Sequence, residues 1–430
     1  MMAPARSGRG RLRLDRLAAI FFALLLAKGA MAQSAVTQSA APDSPAIASA
    51  GLVVEGSVAA VLQQVNGGGT TEGTRQRRAS YRGDLTASLP APGVGESRGS
   101  IFGHLRLGQG EGLTTRPTYT GSVNSLAFET SGGSGSSFAI LAELFYQLDL
   151  ALGQGIGASG GESNRQRIEF TVGKMDPFVF FDQNAVAGDE STGFLNNVFV
   201  HNPLLDSGGD LGADRYGFTP GVRAAWFDER SSRYAWGASV GVFGAGSGAV
   251  FGGPPGKPFV IAQLELSPRR ADGEAAGTYR LYGWRNAQAE SVDESPAKHA
   301  GWGVSIDQRV GADLNFFGRL GRRTVGRGTF DRAVTVGFEI RGNRWGRAND
   351  GIGVALGSLA TADAYRAASA DGTLAGFAAS GREKILEIFY RYAVNEKIEI
   401  SPDFQMVRQP GGDPAAPTAR VYGVRANFSF

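Results

Sequence analysis

From Gly51 to Phe430 the sequence repeats one pattern, segments of about ten residues in which apolar and polar side chains alternate, separated by Gly, Asp, Asn, Ser and Pro. Alternation with period two places successive side chains on opposite faces of a strand, so each segment has a greasy face and a wet one. In Phe138–Leu152 the apolar set Phe138, Ile140, Ala142, Leu144, Tyr146, Leu148, Leu150 and Leu152 opposes Glu143, Gln147 and Asp149. Ile168, Phe170 and Val172 oppose Arg167, Glu169 and Thr171; Trp302, Val304 and Ile306 oppose Ser305, Asp307 and Arg309. Val334, Val336, Phe338 and Ile340 oppose Thr335, Glu339 and Arg341, and Leu386 to Val394 alternate against Glu387 and Arg391. The chain ends on Tyr422, Val424, Ala426, Phe428 and Phe430 against Arg425, Asn427 and Ser429.

A soluble sandwich gives the same alternation. Three details favour an all-β transmembrane antiparallel barrel. Rings stand toward segment ends (Trp302, Tyr390, Tyr392, Tyr422, Phe430), as interfacial girdles do. The polar faces carry both charge signs close together, which suits a water-filled interior. The segments also reach the roughly 9–11 residues that a tilted strand needs to cross a bilayer. Seventeen candidates can be counted, the weakest at 122–129. Bacterial barrels close with an even number, so sixteen strands are expected, with eighteen as the neighbour. Barrels of that size leave an aqueous channel.

The first 32 residues read as a signal peptide. Arg6, Arg9, Arg11, Arg13 and Arg16 precede the uncharged run Leu17–Ala27, and Ala30-Met31-Ala32 supplies a small-x-small cleavage site, placing the cut after Ala32. The run is too short for a transmembrane helix. Its removal takes away those five arginines, Lys28 and Asp15, so the formal net charge of +3 becomes −2. The basicity belongs to the leader, and nucleic-acid binding loses its support. Residues 33–50 are Ala/Ser/Pro-rich and read as a flexible segment, with the barrel over 51–430. An exported chain without Cys has no disulfide scaffold, thiolate metal site or Cys nucleophile. Tyr234–Gly256 is uncharged, but its eight Gly in 23 residues disfavour a helix.

With 64 Gly, motif matches come cheaply. Gly95–Gly99 and Gly237–Gly241 both fit G-x-S-x-G, yet no amphipathic helix follows either Ser. Gly155–Gly160 fits G-x-G-x-x-G without a βαβ unit around it. The three His (His104, His201, His299) lack metal-ligand spacing and read as surface or lumen residues. No catalytic site, metal or cofactor is expected. The most distinctive stretch is Gly173–Pro203, aperiodic and followed by no convincing strand until Phe218. Such length suggests a functional loop folded into the barrel. Its acids Asp176, Asp182, Asp189 and Glu190 could take a hard cation, but Asx-type turns are the simpler use.

That loop, with Phe181-Asp182-Gln183-Asn184-Ala185-Val186-Ala187-Gly188-Asp189-Glu190 followed by Phe194-Leu195-Asn196, resembles the signature of the carbohydrate-selective, OprB-type porins. Ala142-Glu143-Leu144-Phe145-Tyr146 resembles the family's A-E-x-x-Y strand. Pro402 to Gly412 is similar to its penultimate P-D-x-Q-x-x-x-x-P-G-G element, and Gly423-Val424-Arg425 with terminal Phe430 fits its last strand. The Gly/Ser-rich insert near Gly132–Ser137 and the Ala-rich stretch Leu359–Ala379 match no family element. The resemblance implies a sixteen-stranded outer-membrane barrel passing small sugars passively. It also implies that the barrel assembly machinery recognises Phe430.

The expected lumen residues are Glu143, Arg167, Glu169, Asp307, Arg309, Arg319, Glu339, Arg341, Glu387, Arg391 and Arg425. The expected constriction residues are Asp176, Phe181, Asp182, Asn184, Asp189 and Glu190. Guanidinium forks and carboxylates can hydrogen-bond sugar hydroxyls while solvating the wall by mutual pairing. The expected partners are small sugars, outer-membrane lipid and the assembly machinery, with either a monomer or a homotrimer. The competing readings are a polysaccharide export or surface-binding barrel, a general diffusion porin, and a secreted β-sandwich enzyme.

Overall fold

The computed structural model describes residues 51–66, 75–95, 97–113, 123–130, 136–152, 166–206, 211–253 and 256–430. The leader, the flexible segment and the Gly155–Gly160 motif lie outside the described residues, as do parts of the Gly95–Gly99 motif and of the Gly132–Ser137 insert. Sixteen strands form one sheet: β1 (Val53–Val65), β2 (Gln76–Ala91), β3 (Arg98–Gly110), β4 (Ser137–Ala151), β5 (Gln166–Met175), β6 (Thr219–Asp228), β7 (Tyr234–Phe243) and β8 (Phe259–Pro268) make the first half. The second half is β9 (Gly277–Glu290), β10 (Pro296–Val310), β11 (Leu314–Val325), β12 (Phe330–Arg341), β13 (Gly351–Thr361), β14 (Arg382–Ala393), β15 (Ile398–Arg408) and β16 (Ala419–Ser429). Every strand pairs antiparallel with its sequence neighbours, and β1 closes the ring on β16 from Ser57↔Ser429 to Val65↔Val421. Closure satisfies each strand's backbone and leaves no edge, the condition for a sheet surrounded by hydrocarbon.

One rim carries the long connections after β3, β5, β7 and β13; the other carries short turns after β6, β10 and β14. Short turns face the periplasm in such barrels and long loops face outward, so the loop-bearing rim is the outer one. The wall sorts as the alternation requires. Val172, Ile306, Val336, Ile388 and Val424 point out, while Thr171, Ser305, Thr335, Glu387 and Arg425 are buried inside.

Three sequence expectations need correction. The apolar face drawn through Phe138–Leu152 is not continuous. A register shift on β4 leaves Ala142 without a partner, because Glu143 pairs with His104 and Leu141 with Leu105. This bulge reverses the phase: Leu141 and Leu144 both face out (46% and 47% exposed), and Ala142 is buried. The candidate strand at 122–129 is instead a 3-10 helix, Ser125–Thr130, almost wholly buried. Trp302 stands mid-strand on β10 rather than in a girdle.

The interior also departs from a purely aqueous lumen. A buried cluster of Phe145, Phe178, Phe181, Phe194, Phe199, Phe243, Phe317 and Phe389 joins the wall to the connection between β5 and β6. Burying large rings against one another supplies most of the energy that holds a loop inside a barrel.

Candidate functional site

The β5–β6 connection leaves the outer rim and turns inward at once. Asp176 caps a short 3-10 helix, Pro177–Val179, by accepting from the Phe178 amide at 2.8 Å, while its own amide donates to Glu143 at 3.0 Å. Phe181 is wholly buried and edge-on to Phe243 on β7. The Asp182 carboxylate accepts from the Tyr282 hydroxyl (2.7 Å), Arg319 Nε (3.1 Å) and the Asn202 amide (2.5 Å). Arg319 also donates to the backbone oxygens of Asp182 and Phe199, so one guanidinium from β11 holds the outgoing and returning legs of the loop.

Asn184 then donates to Ser305 Oγ (3.2 Å) and Ile306 O (3.0 Å) on β10. Six residues later the Glu190 carboxylate accepts from Arg82 on β2 at 2.6 Å. In a ring of sixteen, β10 and β2 stand eight strands apart, on opposite walls. The segment 184–190 therefore links opposite walls; it begins as a turn, with Asn184 Oδ1 accepting from the Val186 and Ala187 amides, and the long Arg82 side chain supplies part of the reach. Arg425 of β16 receives the crossed chain, donating to the carbonyls of Glu190, Thr192 and Gly193 at 2.8–2.9 Å.

The return leg is seated on buried groups. Glu387 accepts from the Leu195 and Asn196 amides at 2.5 and 2.9 Å, and Asn196 donates to Gln405 at 3.0 Å. Phe194 lies 5.0–5.6 Å from the rings of Phe199, Phe317 and Phe389. The short helix Asn197–Val200 passes over Gly357 of β13, where a Cβ would come within 3.2 Å of Val198. At Gly321 of β11 a Cβ would sit 2.5 Å from the Asn202 amide oxygen, so only glycine admits the loop at this distance.

A second connection folds in beside it. Gln63 and Gln405 both donate to Val123 O at 2.8 Å, and Ser125 donates to Leu195 O through its amide and its hydroxyl. The β3–β4 connection thus braces the first loop, an arrangement that its sequence did not announce.

Charged side chains ring the remaining interior. Arg82, Asp84, Arg106 and His104 form a chain on β2 and β3, with His104 between Asp84 (2.8 Å) and Glu143 (2.9 Å) and Arg106 reaching Glu129 at 2.7 Å. Glu169 pairs with Arg223 (2.8 Å) and Arg167 (3.0 Å), and Arg167 also with Glu229. Asp307 pairs with Arg280 at 2.9 Å, and Arg309 with Glu274 at 3.2 Å near the short-turn rim. Arg391 bonds Glu339 and approaches Glu399 at 3.8 Å. Arg341 ends its strand half-buried at that rim.

Sequence reasoning missed Arg82, Asp84, Arg106, Arg223, Arg280, Asp403 and Gln405. On β2 and β3 many intervening residues are Gly, Ala and Ser, so the apolar half of the alternation is faint. The i, i+2 spacing of Arg82 and Asp84 was the available signal.

Loop groups feel this environment. Burial, with Glu143 nearby, pushes the Asp176 carboxyl up to about 8, and burial lifts Asp206 to about 6. Burial alone would raise Glu190 too, but the Arg82 and Arg106 guanidiniums hold it down at about 2. Burial depresses His201 to about 3, keeping it neutral against Phe178. Asp189 is spent on the Ser191 amide and the Thr192 hydroxyl, an Asx-type turn. Among the described residues no group of three or more His, Cys, Asp or Glu could hold a metal ion.

A closed sixteen-stranded barrel with an apolar exterior, a charged interior and a loop folded across its bore defines an outer-membrane porin. The chain belongs to the family described as carbohydrate-selective porin, OprB family, whose profile matches residues 49–430. It is therefore a channel of the bacterial outer membrane. The high-pH structure of Pseudomonas putida OprB superimposes with a TM-score of 0.67 at 17% identity, covering 88% of this chain and 94% of that one. The outer membrane channel DcaP of Acinetobacter baumannii gives 0.51 at 14% identity, with 89% and 99% covered. At these identities the likeness concerns the fold. Porin AaxA of Chlamydia pneumoniae is 27% identical over 166 residues, 38% of this chain, and the match spans 35% of that relative's length.

Proposed function

We propose that this chain lets small neutral sugars diffuse passively across the outer membrane, and that the span 184–190 is its selectivity element. The observation that carries the reading is the crossing itself, tied to β10 at Asn184 and to β2 at Glu190. A permeant must pass beside this span, where Ala185 and residues 188–192 keep exposure while both flanks are buried. Glu190, Arg82, Arg391 and Glu339 present paired charges there, so hydroxyls find donors and acceptors without one dominant charge sign. Such groups replace part of a sugar's hydration without holding it tightly, the condition for flux. A polymer-export barrel would need an uninterrupted bore, which two infolded connections oppose. Phe430 exchanges both backbone hydrogen bonds with Gly56 and leaves its ring largely exposed, which supports its role as the contact for the assembly machinery.

Liposome swelling tests the reading. Vesicles holding the protein should swell faster in glucose than in amino acids of similar size. Equal rates would leave a general diffusion porin.

A further inference from the structure

The lipid-facing wall differs at its two rims. At the short-turn rim the outward positions hold Tyr234, Trp236, Phe316, Phe338, Tyr390 and Tyr392, an aromatic belt of the kind that sits at a headgroup layer. At the outer rim the same outward alternation ends in cations instead. These are Arg322 on β11, Arg332 on β12, Arg382 and Lys384 on β14, Arg408 on β15 and Arg420 on β16. Each shares its phase with lipid-facing neighbours such as Leu320, Val334 and Leu386, so the charges sit on the outside of the wall and not in the channel.

The register sets like charges face to face: Arg322 opposes Arg332, and Lys384 opposes Arg408. Directly opposed like charges destabilise a strand pair unless an anion lies between them. Asp331 relieves the first pair, at 3.2 Å from Arg332 and 3.8 Å from Arg322. Among the described residues no carboxylate pairs with Lys384, Arg408 or Arg420. Ala360 of β13 lies directly between Arg332 and Arg382, so two guanidiniums flank a small side chain across two strand spacings, roughly 10 Å. Apolar Val334 and Leu356 continue below it toward the membrane centre.

We propose that this rim docks the phosphorylated headgroup of an outer-leaflet glycolipid, with the acyl chains lying on Val334, Leu356 and Ile388. The ligand must be both anionic and lipidic, because cations and apolar wall are continuous on the bilayer side. A second copy of this chain would bring the same cations to the contact and be repelled. The Arg and Lys stems cover the wall while their heads reach the interface, where guanidinium forks match phosphate oxygens.

The test uses the purified whole protein in nanodiscs containing either bisphosphorylated lipid A or the same lipid after both phosphates are removed, with retention through detergent exchange read by native mass spectrometry. The intact protein should retain the phosphorylated lipid with at least roughly tenfold preference. The triple variant Lys384→Gln, Arg408→Gln, Arg420→Gln should lose retention by roughly a hundredfold, since each cation near an anionic surface contributes about fivefold. Its sugar-driven swelling should not change. Equal retention of the two lipids by the intact protein overturns the proposal whether or not the variant folds. So does competition by inorganic phosphate at millimolar concentration, which would make the rim a soluble-anion site.

Discussion

The crossing loop has two unlike parts. Its legs, Phe178–Asp182 and Phe194–Asn202, are buried among phenylalanines and tied by Asp182, Arg319 and Glu387. Its span over Ala185–Thr192 is mixed: Val186 and Ala187 still pack into the buried cluster, while Gly188–Thr192 is small, mostly polar, partly exposed, and held by Arg82 and Arg425. The first part behaves as a core, where position is fixed by packing. The second is packed only at Val186 and Ala187, and its remaining residues are held by charged side chains. The difference teaches that a segment crossing a barrel can be placed chiefly by the packing of the two legs that carry it.

The comparison breaks hardest at Glu387. Glu387→Ala leaves the Leu195 and Asn196 amides buried without an acceptor, at about 1–3 kcal/mol for each. The urea midpoint for unfolding in vesicles should fall, and single-channel conductance should rise as the return leg lifts. A variant with wild-type midpoint and conductance would show that the seat does not depend on this carboxylate.

A smaller effect is expected on the span. Arg82→Ala removes the cation bonded to Glu190, while Asp84 keeps Arg106 and His104. The unfolding midpoint should fall as well, since a largely buried pair loses one member, and the reversal potential in a KCl gradient should move toward cations, with roughly a twofold rise in the K⁺/Cl⁻ permeability ratio. An unmoved potential would place the conducting path away from β2.

The smallest effect concerns pH and separates the parts by sign. Asp206 at about 6 and Asp176 at about 8 stand above the ordinary carboxylate range, so their protonated forms suit the folded seat. Their contribution is full below about pH 4 and drains away as pH rises through those values. Glu190, held at about 2, behaves oppositely; its contribution is present above the ordinary range and is lost only toward pH 2. Unfolding midpoints should therefore decline from pH 5 to 9, and Asp176→Asn should flatten the upper half of that decline. A midpoint that climbs over this range contradicts the assignment.

Much of this was legible in the sequence, for a physical reason. Period-two alternation is set by local geometry, so the strands and the aperiodic β5–β6 connection could be read directly. What was missed depends on contacts between distant segments. Phe317 and Phe389 share the inward phase of Arg319 and Arg391; a large ring among charges on one face marks where a loop will seat, yet alternation alone treats it as noise. The bulge at Ala142 follows from pairing with β3. The 122–129 stretch looked like a weak strand because the groups that hold it, Leu195 against Ser125 and Gln405 against Val123, lie far along the chain.

The central claim is that the lumen-crossing span sets sugar preference. It is tested most directly by replacing Ala185–Ser191 with two glycines and comparing swelling rates in glucose and in amino acids with those of the intact chain. The account predicts that both rates rise, at least about twofold, and that the preference for sugar disappears. A shortened protein that keeps the preference unchanged would contradict it.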